Sequence, residues 1–84
     1  LKVLMKPIEM IASFNIEGKL RPARYRLVEE NVVIKVDRID YIEEEKLAGN
    51  KMFVYRCTST IGGTEKVYEL KYEIGTCKWF LYKM

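Results

Sequence analysis

Side chains able to do chemistry are few in this chain, and their types limit what that chemistry could be. There is no histidine, which removes the commonest general base and the commonest metal ligand. Nucleophile systems that pair serine or cysteine with histidine are excluded with it. The cysteines, Cys57 and Cys77, lack paired-ligand spacing and cannot complete a four-ligand structural zinc site on their own. Three consecutive acids, Glu43, Glu44 and Glu45, diverge in direction and read as a solvated acidic turn rather than a cation site. The Gly62-Gly63 pair is not followed by the Gly-Lys-Ser/Thr of a phosphate-cradling loop. On this inventory the chain is expected to be no enzyme and to need no metal or cofactor.

Binding is the remaining class of function, and two groups of residues are candidates for it. Phe80, Tyr82 and Met84 share the strand parity opposite Trp79 and Leu81, and the pairing register argued below puts Val54, Val67 and Met52 on the same side. That is an unusual set for a solvent face. Either the amino-terminal segment with Val3 and Leu4 covers it, or the sheet curls to bury it, or it is a patch for self-association or a protein partner. The second group is basic: Arg21, Arg24 and Arg26, with Lys19 and Lys35 on neighbouring strands, could contact the phosphates of a nucleic acid. The bland alternative is a solvated face balanced by Glu29 and Glu30. Protein contact is the leading expectation and nucleic-acid binding the alternative. A small-molecule barrel ranks third, because so short a chain leaves little interior beyond its own side chains.

These groups need a scaffold, and turn chemistry supplies it. Ile61-Gly62-Gly63-Thr64 lies between runs of aromatic and β-branched residues and predicts a two-residue hairpin turn. That turn fixes a register with Cys57 opposite Tyr68, Tyr55 opposite Leu70 and Phe53 opposite Tyr72 on one face, and Arg56 opposite Glu69 on the other. Ile74-Gly75-Thr76-Cys77 predicts a second hairpin, with glycine at the first central position of a type II′ turn. It sets Tyr72 opposite Trp79 and Leu70 opposite Leu81, with Glu73 facing Lys78 on the outside. Two independent turns thus select the same buried face.

The first half of the chain reads similarly. Ile8, Met10, Ala12 and Phe14 alternate toward a core before a turn from Asn15 to Gly18, and a second strand from Leu20 points Ala23, Tyr25 and Leu27 inward. Pro22 suggests an edge or a bulge there. After a turn at Glu29-Glu30-Asn31, Val32, Ile34 and Val36 take one parity and Ile39 and Tyr41 the other, which predicts a bulge near Asp37-Arg38. Glu43 to Leu47 has the helix propensity for one short helical turn before Gly49-Asn50. The expected fold is one all-β domain over residues 1–84, a six-stranded antiparallel meander curled into a small barrel or strongly bent sheet.

Size and charge bound the rest. An 84-residue chain holds one core. Residues 1–28 carry six basic and two acidic side chains, residues 29–45 two and seven, and residues 46–84 seven and three, for a net charge of +3. Strong polyanion binders usually carry a larger basic excess. No apolar run approaches the roughly 20 residues needed to cross a bilayer, and Leu1 to Lys6 lacks the apolar core of a secretory signal. In the predicted register the two cysteines lie on the order of 20 Å apart along the strands, too far for a disulfide. Two reduced, buried thiols and a cytoplasmic location without membrane contact are the expectation.

The run Pro22-Ala23-Arg24-Tyr25-Arg26-Leu27, followed by Val36-Asp37-Arg38-Ile39 and closed by Trp79-Phe80-Leu81, resembles short uncharacterised bacterial β-barrel-like domains. Some of those domains accompany translesion-type DNA polymerases. The resemblance spans most of the chain, implies a nucleic-acid context and carries over no catalytic residue.

Overall fold

The computed structural model describes residues 1–84. Seven antiparallel strands, β1 (Val3–Phe14), β2 (Leu20–Leu27), β3 (Val32–Lys35), β4 (Arg38–Leu47), β5 (Asn50–Ile61), β6 (Thr64–Glu73) and β7 (Lys78–Lys83), form one sheet and there is no helix. The spatial order β3-β2-β1-β7-β6-β5-β4 makes consecutive strands β3 and β4 the two rims. The sheet therefore curls strongly into a half-barrel, with Val36 and Asp37 carrying the chain from one rim to the other. Val36 N–H still donates to Ala23 O on β2, while Asp37 N–H already donates to Thr58 O on β5.

The register set by the Gly62-Gly63 turn is the one observed. Phe53 pairs with Tyr72, Tyr55 with Leu70 and Cys57 with Tyr68. Gly62 and Gly63 have φ of 57° and 79°, the left-handed pair that a type I′ turn demands. The next hairpin also holds its register, with Leu70 opposite Leu81 and Tyr72 opposite Trp79, but its turn is different. Gly75 is not left-handed. Cys77 is, at φ 59°, and its N–H donates to Glu73 O at 2.9 Å, closing a four-residue loop. Glu73 faces Lys78 across the strands, yet its carboxylate accepts hydrogen bonds from Asn50 Nδ2 and Thr76 Oγ1.

The core lies on the concave face. Tyr25, Tyr55, Tyr68, Leu70, Leu81 and Cys57 are almost completely buried, and Ile8, Ile34 and Trp79 complete the cluster. Tyr25 and Tyr68 meet edge to face at 5.7 Å, and Trp79 lies 4.8 Å from Tyr72 and 5.4 Å from Tyr55. A single curled layer can close a core this way because side chains from opposite ends of the strand order meet across the trough.

Several expectations need correction, each for a backbone reason. Glu43 to Leu47 is strand rather than helix, because these residues pair with Asn50–Val54 of β5 and ladder hydrogen bonds outweigh a few tenths of a kcal/mol of helix propensity per residue. Ala48 and Gly49, both left-handed, make the turn that follows. There are seven strands rather than six because the predicted third strand divides where it bends. Ala23 is exposed and Pro22 buried, since the β1–β2 register shifts there, with Ala12 opposite Pro22 and Ile11 opposite Arg24. A further shift leaves Asp40 unpaired between Ile39 and Tyr41, so Tyr41 falls opposite Arg56 and is exposed. Phe14 keeps its parity but is exposed at the end of β1. Cys77 is exposed rather than buried, and both thiols are free.

Candidate functional site

The cationic residues are placed by the bend between β3 and β4. On the convex face Arg24 stands between Ile11 of β1 and Lys35 of β3, and Arg21 is opposite Ser13. Because β3 bends away after Lys35, Arg38 at the start of β4 swings back toward the same surface. Together these residues line a cleft of about 550 Å³ that holds Arg21, Arg24, Lys35 and Arg38, with Ser13 and Asp37 at its polar wall.

The four cations differ electrically. The six ion pairs of the molecule use Lys6, Arg26, Arg38, Lys51, Arg56 and Lys71. Arg21, Arg24 and Lys35 therefore have no carboxylate partner. Arg38 is held by Asp40, whose carboxylate also accepts from Thr58 Oγ1 at 2.6 Å. The Thr58 hydroxyl first, and then Arg38, hold the Asp40 carboxyl below its ordinary range. Asp37, the acid in the cleft wall, accepts the Thr60 N–H at 2.7 Å. That backbone bond fixes one carboxylate oxygen, and Asp37 forms no ion pair with the cleft's cations.

Two of the predicted basic residues fall elsewhere. Arg26 is tied to Glu9 directly across the β1–β2 ladder and donates to Asn31 Oδ1 at 3.2 Å, so its charge is spent within the sheet. Lys19 lies at the other opening described below. Arg38 and Ser13 are members of the cleft that strand parity in the sequence does not reveal. The predicted bulge at Asp37-Arg38 is the available signal, since a bend there necessarily redirects the side chain that follows.

The apolar group does not gather into an open face. Val54 and Met52 are buried, and Val54 sits in a cross-strand row with Lys71 and Phe80. Lys71 is itself buried, with Nζ 2.9 Å from Glu45 and 3.9 Å from the centroid of the Tyr82 ring. Its chain lies along the outer surface between them, the usual use of a long amphipathic side chain. The β6–β7 register shifts beside Tyr82, and Met84 packs against the concave core rather than joining Phe80. Val67, 43% exposed, stands apart opposite Thr58. The amino-terminal segment does not cover this side; it lies beside β7 as a neighbouring strand, with Pro7 opposite Phe80.

A second opening has no counterpart among the sequence expectations. Beyond Ala23, strand β2 has no partner on its outer edge, and β4 pairs only with β5. The two free edges face one another where the half-barrel stays open. Tyr55 Oη donates to Leu20 O at 2.8 Å, giving that carbonyl a partner across the gap. Around it lies a mouth of about 690 Å³ lined chiefly by Phe14, Leu20, Ile42, Phe53, Tyr72 and Ile74, with Lys19 at its rim. Burial first, and then Tyr72, push the Tyr55 phenol up to about 12, while Arg21 opposes them. The phenol is thus a fixed neutral donor at physiological pH.

No three His, Cys, Asp or Glu side chains come together where they could share a metal ion. No protein-family model, curated protein or solved structure matches the chain.

Proposed function

We propose that this half-barrel is a non-enzymatic binding module for the phosphate backbone of nucleic acid, acting through the convex cleft between β2, β3 and β4. The observation that carries the reading is the convergence of Arg21, Arg24 and Lys35, none of them paired with a carboxylate, in one cleft of the convex surface. Three unneutralised cations in a cleft keep their field for an incoming anion, and guanidinium groups suit phosphate geometry. Ser13 adds a neutral donor for a phosphate oxygen. The resemblance to domains that accompany translesion-type polymerases points the same way. Protein contact through Phe80, Tyr82, Met84, Val67 and Val54 has less support, because only Val67 of the five is substantially open.

Fluorescence anisotropy with labelled oligonucleotides across a salt series tests the proposal. Binding at low salt should weaken linearly in log–log form. Replacing Arg21, Arg24 and Lys35 together by alanine should flatten the slope by about 0.7 to 0.9 for each phosphate that is no longer neutralised. No binding at low salt, or a triple variant that binds like wild type, would remove the reading.

A further inference from the structure

We infer that the aromatic mouth beside the cationic cleft receives unpaired bases, so that the ligand is single-stranded rather than duplex nucleic acid; this rests on the backbone-binding reading above. The two sites share one strand. Lys19 and Leu20 of the β2 region line the mouth, and Arg21 to Arg24 line the cleft. A chain whose phosphates follow the arginines is delivered directly to the gap between the free edges of β2 and β4.

The mouth has the character that bases require. Phe14 is 71% exposed, an unusual position for a phenylalanine in a small domain short of core material, and Phe53 and Tyr72 present half-buried rings around the same opening. Aromatic faces bind bases of any sequence by stacking, and a neighbouring cationic track is the usual companion of such platforms. Lys19 at the rim extends the positive charge to the place where the base would enter. Duplex DNA keeps its bases stacked inside, so it could use the cleft but not the mouth.

The protein carries its own reporter. Trp79, its single tryptophan, lies behind the mouth against Tyr72 and Tyr55, so a base entering there should alter its emission. The experiment compares a short oligothymidylate, the same strand made abasic at successive positions, and a duplex of equal length, each with wild type and with Phe14→Ala. Phe14 is largely solvent-exposed, and circular dichroism checks that the variant keeps its fold. Wild type is expected to bind the single strand more tightly than the duplex and to change Trp79 emission only with the strand that has bases. Phe14→Ala should weaken the single strand by about tenfold, within the range for removal of one base–aromatic stack, and leave duplex affinity and salt slope unchanged. Equal affinity for single strand and duplex, with Phe14→Ala neutral and emission unmoved, would overturn this inference while leaving the backbone reading intact. Absence of binding to every oligonucleotide would overturn both.

Discussion

Replacing Tyr25 by phenylalanine should make this protein more stable, against the usual direction for a substitution in a core. The Tyr25 ring is 1% exposed and its buried hydroxyl approaches the Tyr68 hydroxyl without making a hydrogen bond of normal geometry. Burial pushes its ionisation far above the ordinary range, so the group stays neutral and simply carries its desolvation cost, roughly 1–3 kcal/mol for an unsatisfied buried polar group. Phenylalanine keeps the ring and its edge-to-face contact with Tyr68 and removes that cost. Tyr68 is the internal control. Its hydroxyl lies 2.6 Å from Ser59 Oγ, which donates onward to Lys35 O at 2.6 Å, so Tyr68→Phe deletes a made hydrogen bond and should lose about 1 kcal/mol. The two variants remove the same atom from adjacent rings and should differ by about 2 kcal/mol or more in opposite directions. Urea denaturation at neutral pH measures both, with unchanged m-values as the check that only stability has moved. Thermal midpoints should shift by about 4–8 °C per kcal/mol in a domain of this size. A loss of stability in Tyr25→Phe as large as in Tyr68→Phe would refute the reasoning.

The turns and the thiols carry the remaining predictions. Gly63→Ala should cost about 1 kcal/mol, because the residue is left-handed at φ 79° while the space beside it is open, so the loss measures backbone conformation alone; a neutral result in urea denaturation would contradict the type I′ geometry. A thiol reagent at mild pH should titrate Cys77 quickly and leave Cys57 untouched until unfolding. Burial raises the Cys57 thiol from 9.0 to about 12, so its contribution is intact below pH 9, where both states hold the proton. It is lost at up to about 1.4 kcal/mol per pH unit as pH rises toward 12, because the unfolded chain ionises first. Cys57→Ala should show a shallower fall in stability between pH 9 and 10; an identical fall would show that other groups set it.

The parts of the fold that were legible in sequence are those where a short-range rule and the tertiary pattern agree. Gly62-Gly63 dictates a turn whose twist suits a hairpin, and the resulting register stacks Phe53, Tyr55 and Cys57 on Tyr72, Leu70 and Tyr68. Either fact alone would be weak, but a one-residue slip would spoil both. At Gly75 the register was readable and the turn was not, because several loop types bring Glu73 opposite Lys78. Glu43 to Leu47 shows the limit of local propensity, since the strand exists only because β5 is there to pair with it. Pro22, Asp40 and Tyr82 each stand at a register shift, and each shift moved a neighbour to the other face: Ala23, Tyr41 and Met84. Of the cationic cleft, Arg24 and Lys35 were visible as an outward parity, whereas Arg21 shares the parity of Tyr25 and faces outward only because the register skips Ala23. Arg38 was not visible either, because its position depends on the rim-to-rim bend. The aromatic mouth was hidden for a related reason: Phe14, Phe53 and Tyr72 have correct inward parity, and only closure of the half-barrel could tell a filled interior from an open one.

Lys2 and Met84 exchange a reciprocal pair of backbone hydrogen bonds, each 3.0 Å long. Residues 2 and 84 are consequently lateral neighbours in the weave, and the β1–β7 seam they flank is the contact whose formation requires closing all the intervening strands into a loop. A short peptide bridge from residue 84 back to residue 1 would turn this slowest encounter into an ordinary hairpin, at little extra closure entropy. Opening this 84-residue unit at Ala48-Gly49 would then give a circularly permuted domain with the same sheet and a different order of assembly.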